Sequence, residues 1–191
     1  DLIAGDNFSF IGRRPLEVGP RVFTQDVDTW YFNAGLDGVF DFGDRSYNWD
    51  VNAVHSENKA DQVFTNGYNV AKIQLALGDP AICALIPGCV PLDIFGGQGR
   101  PMTQQQIDYI RTTQIDSSKQ VLDLVQGNIT GDLFNIGDRT AGFAAGAEHR
   151  KYRGEFLPDP LRQSGESQDS FAAAVSANYK VDELYAEVNL P

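Results

Sequence analysis

The chain has 191 residues, with 15 lysine and arginine residues against 26 aspartate and glutamate residues, and a formal net charge of −11 at pH 7. This acidic balance argues against nucleic acid as a partner, because a phosphate-binding surface needs an excess of basic residues. No stretch reaches the roughly 18–20 consecutive apolar residues of a membrane-spanning helix. A membrane barrel is not excluded in this way, because its strands alternate between apolar and polar positions.

The beginning of the chain carries little periodic signal. Residue 1 is Asp1, the one methionine is Met102, and no signal peptide is recognisable. We therefore expect the sequence to be a piece of a longer protein. The segment Phe8–Asp28 is expected to be extended, although Pro15 and Pro20 obscure its register.

Two alternating segments predict a first antiparallel hairpin. In Thr29–Phe40 the even positions, beginning with Trp30, are apolar or small, and the odd positions are mostly polar. This period of two is typical of a strand and not of a helix. The same alternation continues in Tyr47–Glu57, and the intervening Asp41–Arg45 has Gly43 at its centre, which indicates a short turn.

A long connection is predicted to follow at about residues 66–113. Connections beyond about 15 residues are unusual in a compact domain and are often functional. Thr103 and Gln106 fit a capping box, which predicts one short helix at Thr103–Arg111. The segment Gly96–Pro101 is expected to be irregular, and it is not a phosphate-binding loop because no Lys-Ser/Thr pair follows it.

The two cysteines, Cys83 and Cys89, lie in this connection. Six residues apart around a Pro-Gly pair, they favour a disulfide on a loop in an oxidising compartment. Two reduced and unrelated thiols are the alternative. A zinc site would need four ligands, and neither histidine is near them in the sequence.

A second hairpin and a last strand complete the pattern. Val125–Leu133 alternates, a turn is predicted at Asn135–Arg139, and Phe143–Arg150 forms the return strand. A second long connection is predicted at about residues 157–176, before a final alternating strand at Glu183–Leu190. The fold class is therefore all-β, an antiparallel up-and-down meander with one short helix in a long loop.

The predicted connections alternate in length along the chain. The turns at about residues 41–45 and 135–139 are short, whereas the loops at about 66–113 and 157–176 are long. Short turns at one end of the strands and long loops at the other are typical of outer-membrane barrels. A soluble sandwich usually shows no such one-sided bias.

Residues with catalytic chemistry are sparse. His55 and His149 are the two histidines, and surface or interface positions are favoured over a metal site for both. Ser164–Ser167 is not a nucleophile elbow, which needs the pattern Gly-x-Ser-x-Gly. We therefore expect no enzyme activity, and the sequence indicates no catalytic residue, cofactor or metal ligand.

Several short segments in order resemble TonB-dependent outer-membrane receptors. These matches occur in the same order over most of Arg13–Pro191. The segments that carry the resemblance are Glu17–Arg21, Asp28–Phe40, Cys89–Gly97, Asp108–Arg111, Gly131–Phe134, Gly142–Glu148, Pro158–Pro160, Ser164–Ser167 and Glu183–Pro191.

The resemblance implies a large transmembrane β-barrel of about 22 strands with a plugged lumen. Such receptors lie in the outer membrane of Gram-negative bacteria, bind a scarce extracellular ligand of the siderophore, cobalamin or oligosaccharide class, and import it with TonB-transmitted energy. The implied partners are outer-membrane lipid, the rest of the barrel, the plug domain, the TonB complex and a small-molecule ligand. Five or six strands are counted here, without a plug or TonB box, so the resemblance implies a mid-barrel segment. The ligand and the residues that contact it stay unknown, although the two long loops are expected to supply contacts.

The barrel interpretation assigns the two sides of each strand to different surroundings. Aromatic residues of the first hairpin are expected to face lipid or its interface, where amphipathic rings are favoured: Trp30, Phe32, Tyr47 and Trp49. Polar residues on the opposite side are expected to face the lumen: Asn33, Asp37, Asp50, Asn52, Asn128, Asp132, Glu148, Glu183 and Glu187.

Two other classes remain open at the level of sequence. A soluble, secreted β-sandwich that binds carbohydrate would use the same alternation, with its apolar face turned inward. An extracytoplasmic enzyme would need two carboxylates about 5–10 Å apart in a cleft. The sandwich predicts that the apolar sides of Trp30–Phe40 and Leu184–Leu190 are buried under a second layer.

Overall fold

The computed structural model of the chain describes residues 12–94 and 100–191. Within these ranges the chain forms five strands and a few short helices. In chain order the elements are a 3-10 helix at Leu16–Val18, β1 at Val22–Phe42, β2 at Arg45–Tyr68, α1 at Val70–Leu77, α2 at Pro80–Leu85, α3 at Gln104–Ile110, β3 at Arg111–Ile136, β4 at Arg139–Leu157, α4 at Pro160–Gln163 and β5 at Val175–Asn189.

The strands form one sheet in the order β1-β2-β3-β4-β5. β3 pairs antiparallel with β4 from Ser117↔Leu157 to Ile136↔Arg139, and β4 pairs antiparallel with β5. This order confirms the predicted all-β antiparallel meander. A shift in register between Asp132 and Phe134 marks a bulge near the turn end of β3.

The hairpin turns are tighter than the sequence predicts. Residues 43–44 and 137–138 separate the strands, so each turn has two residues. Gly43 and Gly137 stand first in these turns, with φ of 65° and 63°. A glycine with positive φ at the first central position is the requirement of a type II′ hairpin turn.

The long connections contain more helix than predicted. The capping box of Thr103 is present at the start of α3, so the predicted helix is confirmed. The expectation of a single helix is wrong, because Asn69 caps α1 and Asp79 caps α2 through side-chain oxygens. The connections span residues 69–110 and 158–174.

The segment before β1 is not uniformly extended. Leu16–Val18 forms a 3-10 turn, which corrects the expectation for Phe8–Asp28, and strand structure begins at Val22. Residues 8–11 of that segment, and residues 96–99 of the glycine-rich stretch, lie outside the described residues.

The chain divides into two compact units. The loop unit comprises the described residues up to Thr24, Val63–Ile115 and Pro158–Ala173, and the sheet unit comprises Gln25–Gln62, Asp116–Leu157 and Ala174–Pro191. A cluster of buried apolar residues lies in the loop unit: Val18, Met102, Ile107 and Ile110. None of the helices in residues 12–94 and 100–191 has the length and apolar character needed to cross a membrane.

Candidate functional site

One side of the sheet unit, here called the apolar face, carries a continuous set of aromatic and aliphatic side chains near the short turns. The rings of Phe40 and Tyr47 are 5.3 Å apart between centroids, and Tyr47 and Phe143 are 6.1 Å apart. Phe143 pairs with Val188 on β5. An aromatic row therefore crosses from β1 to β4 near the short turns, on the side that also carries Trp30, Phe32, Leu36, Trp49, Val51, Ile129 and Leu184.

This apolar face is exposed. The exposed fractions of Trp30, Leu36 and Leu184 are 62%, 72% and 86%. The described residues of the sheet unit therefore place no second layer over these side chains. A face of this size in contact with water is costly, at roughly 25 cal/mol per Å² of apolar surface.

The opposite side of the sheet, the polar face, carries a hydrogen-bonded chain across three strands. Asn128 of β3 donates from Nδ2 to Asp50 Oδ2 of β2 at 2.7 Å, and its Oδ1 accepts from the Tyr185 hydroxyl of β5 at 2.8 Å. The ring of Tyr185 lies over Gly146 of β4, where a Cβ atom would meet Asn128 Oδ1 at 2.5 Å. A glycine at residue 146 thus leaves room for the link between β3 and β5.

Two carboxylates of the polar face are paired with one arginine. Arg150 contacts Glu148 through Nε at 3.0 Å and also forms an ion pair with Glu183. Glu148 and Glu183 stand opposite each other in the register, and Ala144 stands opposite Glu187. The three predicted glutamates therefore share one face with Asn128.

The polar residues of the first hairpin follow the same arrangement. A Cβ atom on Gly35 would lie 3.6 Å from Asn52 Oδ1, so the odd positions of β1 face the same side as Asn52. Asn33 and Asp37 are odd positions of β1.

Farther from the short turns, the apolar face carries charged residues, and two histidines contact aspartates there. His55 contacts Asp123 at 2.6 Å and His149 contacts Asp182 at 2.5 Å, through Nδ1 in both cases. Arg153 donates to the second oxygen of Asp123 at 2.6 Å. Within the described residues no group of three or more potential ligands is placed to hold a metal ion.

The two long connections are hydrogen-bonded to each other within the loop unit. Val70 N donates to Glu166 O at 2.7 Å, and Gln168 N donates to Tyr68 O at 3.1 Å. The buried Ser167 hydroxyl donates to Gln114 Oε1 at 2.9 Å. These contacts join loops that are far apart in the sequence, which the sequence pattern alone did not predict.

The disulfide predicted between Cys83 and Cys89 is present, with Cα atoms 5.4 Å apart. Cys83 is buried within α2. The bond closes the turn around Gly88, whose φ of 79° is in the left-handed region that favours glycine.

The carboxylate of Glu17 links the segment before β1 to the connection that precedes α3. Glu17 accepts a hydrogen bond from Met102 N at 3.0 Å and forms an ion pair with Arg13. The hydrogen bond from the Met102 amide, more than the Arg13 charge, holds the pKa of Glu17 below its ordinary value.

A basic cavity of about 680 Å³ lies in the same unit, and sequence analysis did not identify it. Arg13, Arg14 and Arg21 line it together with Tyr68. Three arginines within nine residues of an acidic chain were the available signal. Tyr68 comes from the far end of β2, and only the fold reveals that it lines the same cavity.

The chain is similar in structure to known proteins, but no protein-family profile and no curated protein matches it. Among solved structures, the chain is similar to the siderophore receptor PiuA from Acinetobacter baumannii, with a TM-score of 0.35 and 16% identity. That likeness covers 87% of this chain, which spans 21% of the length of the receptor.

Proposed function

We propose that this chain forms part of the β-barrel of a TonB-dependent outer-membrane transporter, which binds a small extracellular ligand and imports it with energy transmitted by TonB. Its partners are outer-membrane lipid, neighbouring barrel strands, a plug domain and the TonB complex. The proposal gives the chain no catalytic role.

The observation that carries the proposal is the exposed apolar face of the sheet unit. Trp30, Leu36 and Leu184 project from a sheet without a covering layer among the described residues. Lipid is a solvent in which these side chains are stable without such a layer. In a barrel, β1 and β5 would also pair with further strands, because open edges are not tolerated in lipid.

The length of the apolar segment agrees with a bilayer. From Trp30 to Phe40, β1 advances ten residues, or about 33 Å at roughly 3.3 Å per residue. A strand tilted by about 45° then covers about 23 Å along the membrane normal, close to the roughly 25 Å apolar band of outer-membrane barrels. The row of Phe40, Tyr47 and Phe143 lies near the short turns, where such barrels carry an aromatic girdle.

The polar face fits a water-filled interior that meets a plug. Two of its carboxylates are matched by donors from neighbouring strands, Asp50 by Asn128 and Glu183 by Arg150. Charged side chains are tolerated in a lumen and disfavoured on the lipid side. A soluble sandwich is disfavoured, because it would bury the apolar face.

Spin labels on two adjacent residues of β5 test the proposal. Leu184→Cys places a label on the apolar face, and Glu183→Cys places its matched control on the polar face. The native cysteines are joined to each other, so a thiol-specific label reacts at the introduced residue. The protein is reconstituted in lipid bilayers, and relaxation by oxygen is compared with relaxation by a water-soluble nickel chelate.

The expected result is opposite accessibility at the two positions. A label at residue 184 should collide with oxygen, which concentrates in lipid, and a label at residue 183 should collide with the nickel chelate. A label at residue 184 that is shielded from both reagents would indicate a buried apolar face and a soluble sandwich. Equal nickel accessibility at both positions would also contradict the membrane assignment.

A further inference from the structure

The basic cavity of the loop unit is unlike the rest of this acidic chain. Three of the 15 basic residues line it, and the described lining residues include no carboxylate. Its volume of about 680 Å³ lies within the usual range of small-molecule pockets, roughly 300–1,000 Å³. The other described lining residues are Pro15, Leu16, Gly19, Pro20 and Tyr68.

The three arginines differ in whether a carboxylate among the described residues pairs with them. Arg13 forms an ion pair with Glu17 and donates to the Asp93 carbonyl oxygen at 3.3 Å. Arg14 and Arg21 are exposed, and neither has a carboxylate partner among the described residues. Two guanidinium groups are therefore available to an incoming anion, beside a third that is held in place.

The backbone that carries these arginines is fixed on both sides. Val18 is buried in the apolar cluster of the loop unit, and Gly19 turns the chain with a φ of 88°. Asn66 Nδ2 then donates to Pro20 O at 2.7 Å. A binding site whose backbone is already ordered loses less entropy when a ligand binds.

Tyr68 adds a neutral donor and an aromatic surface to the cavity. Burial raises the pKa of Tyr68, so its hydroxyl stays protonated near neutral pH. The Tyr68 backbone is held by the hydrogen bond from Gln168 N, which fixes this side of the cavity to the second long connection.

We propose that this cavity binds a small soluble oxyanion, of the polycarboxylate or phosphate class, through Arg14, Arg21 and the Tyr68 hydroxyl. Planar guanidinium groups match carboxylate and phosphate oxygens with paired hydrogen bonds. The inference goes beyond the proposed transport function and does not depend on it, because it concerns the loop unit alone.

Calorimetric titration with citrate tests the proposal. The protein is held in a nonionic detergent at low ionic strength, and the Arg14→Gln/Arg21→Gln double variant is compared with it. Arg139→Gln, at the start of β4 in the sheet unit, removes the same kind of charge outside the cavity and is the matched control. Inorganic phosphate is titrated as a second probe.

The expected result is saturable citrate binding that weakens about tenfold or more in the double variant and is unchanged in the control. Arg21→Lys keeps the charge without the planar fork and should weaken binding less than Arg21→Gln. Unchanged circular dichroism of each variant shows that the fold is retained.

Three results would overturn the proposal. The first is equal affinity of the unaltered protein and the double variant, or no saturable binding of either probe. The second is an equal loss of citrate affinity in Arg139→Gln, which would show that binding depends on the overall charge and not on the cavity. The third is displacement of citrate when the micelles are doped with phosphatidylglycerol, which would assign the arginines to lipid headgroups.

Discussion

The ring of Tyr47 on β2 lies directly over Gly131 on β3. A Cβ atom built on residue 131 would overlap Tyr47 Cδ1 and stand 2.9 Å from Cε1. The missing side chain lets the Tyr47 ring lie flat between Phe40 and Phe143, and so completes the aromatic row. Gly38 has the same relation to Trp49, where a Cβ atom would stand 2.9 Å from the indole.

Gly131→Ala is expected to displace the Tyr47 ring and to lower stability by about 1–3 kcal/mol, the usual cost of overpacking. The measurement is the urea midpoint of unfolding in detergent, followed by tryptophan fluorescence. Gly127→Ala, on the same strand and face, is the control, because its Cβ would make ordinary contacts at 3.7 Å with Asp50 O and Val51 Cγ2. Equal losses of stability in the two variants would contradict a specific role for the space above Gly131.

The hydrogen bond between Asn128 and Asp50 on the polar face can be tested by exchanging the two residues. Asn128→Asp alone puts two carboxylates where Asn128 Nδ2 and Asp50 Oδ2 are now 2.7 Å apart, and should destabilise the protein by about 1 kcal/mol at neutral pH. Adding Asp50→Asn restores one amide and one carboxylate, and should recover most of the loss. Urea midpoints of the two single variants and the double variant measure the coupling, and additive effects would show that the hydrogen bond contributes nothing.

The sequence predicted the sheet where each strand has one apolar side. The alternating segment Thr29–Phe40 lies within β1, and the alternating segment Val125–Leu133 lies within β3. The strands were predicted too short, because stretches such as Ser56–Gln62 carry polar residues on both sides and give no periodic signal. Antiparallel pairing continues there without it, since backbone hydrogen bonds extend a hairpin once its register is set.

The loop unit was predicted less well, for a different physical reason. Local signals such as the Thr103 capping box and the two cysteines act over a few residues, and both were recognised. The basic cavity joins Arg14 and Arg21 to Tyr68, about 50 residues later, and the pairing of Ser167 with Gln114 also depends on chain topology. Such contacts have no periodicity that a single sequence could reveal.

The disulfide is expected to order only the part of the loop unit near it. Cys83→Ser/Cys89→Ser reopens a small loop, and the chain-entropy model puts the local loss at about 2 kcal/mol. Hydrogen–deuterium exchange should rise in peptides covering α1 and α2 and stay unchanged in β3 and β4. Exchange that rises throughout the sheet would contradict a local role for this bond.

Glu17 makes the anchoring of the loop unit dependent on pH. The folded-state pKa of Glu17 is lowered by the Met102 amide, so its contribution to stability is fully present above the ordinary carboxyl pKa. That contribution disappears as the pH falls through the lowered pKa. The other groups facing Glu17 are Arg13 and Tyr68, and the raised pKa of Tyr68 keeps its hydroxyl neutral over this range.

Glu17→Gln is therefore expected to speed amide exchange several-fold in a peptide spanning Met102 at pH 7. The difference in amide exchange rate between Glu17→Gln and the unaltered protein should narrow steadily towards pH 3, because protonation of Glu17 removes the same charge as the substitution. Comparing the two proteins at each pH cancels the intrinsic pH dependence of amide exchange. Asp138→Asn, in the β3–β4 turn, removes one carboxylate elsewhere and should leave this peptide unchanged at every pH. A difference in exchange rate that stays constant with pH would show that the packing of Glu17, and not its charge, protects the peptide spanning Met102.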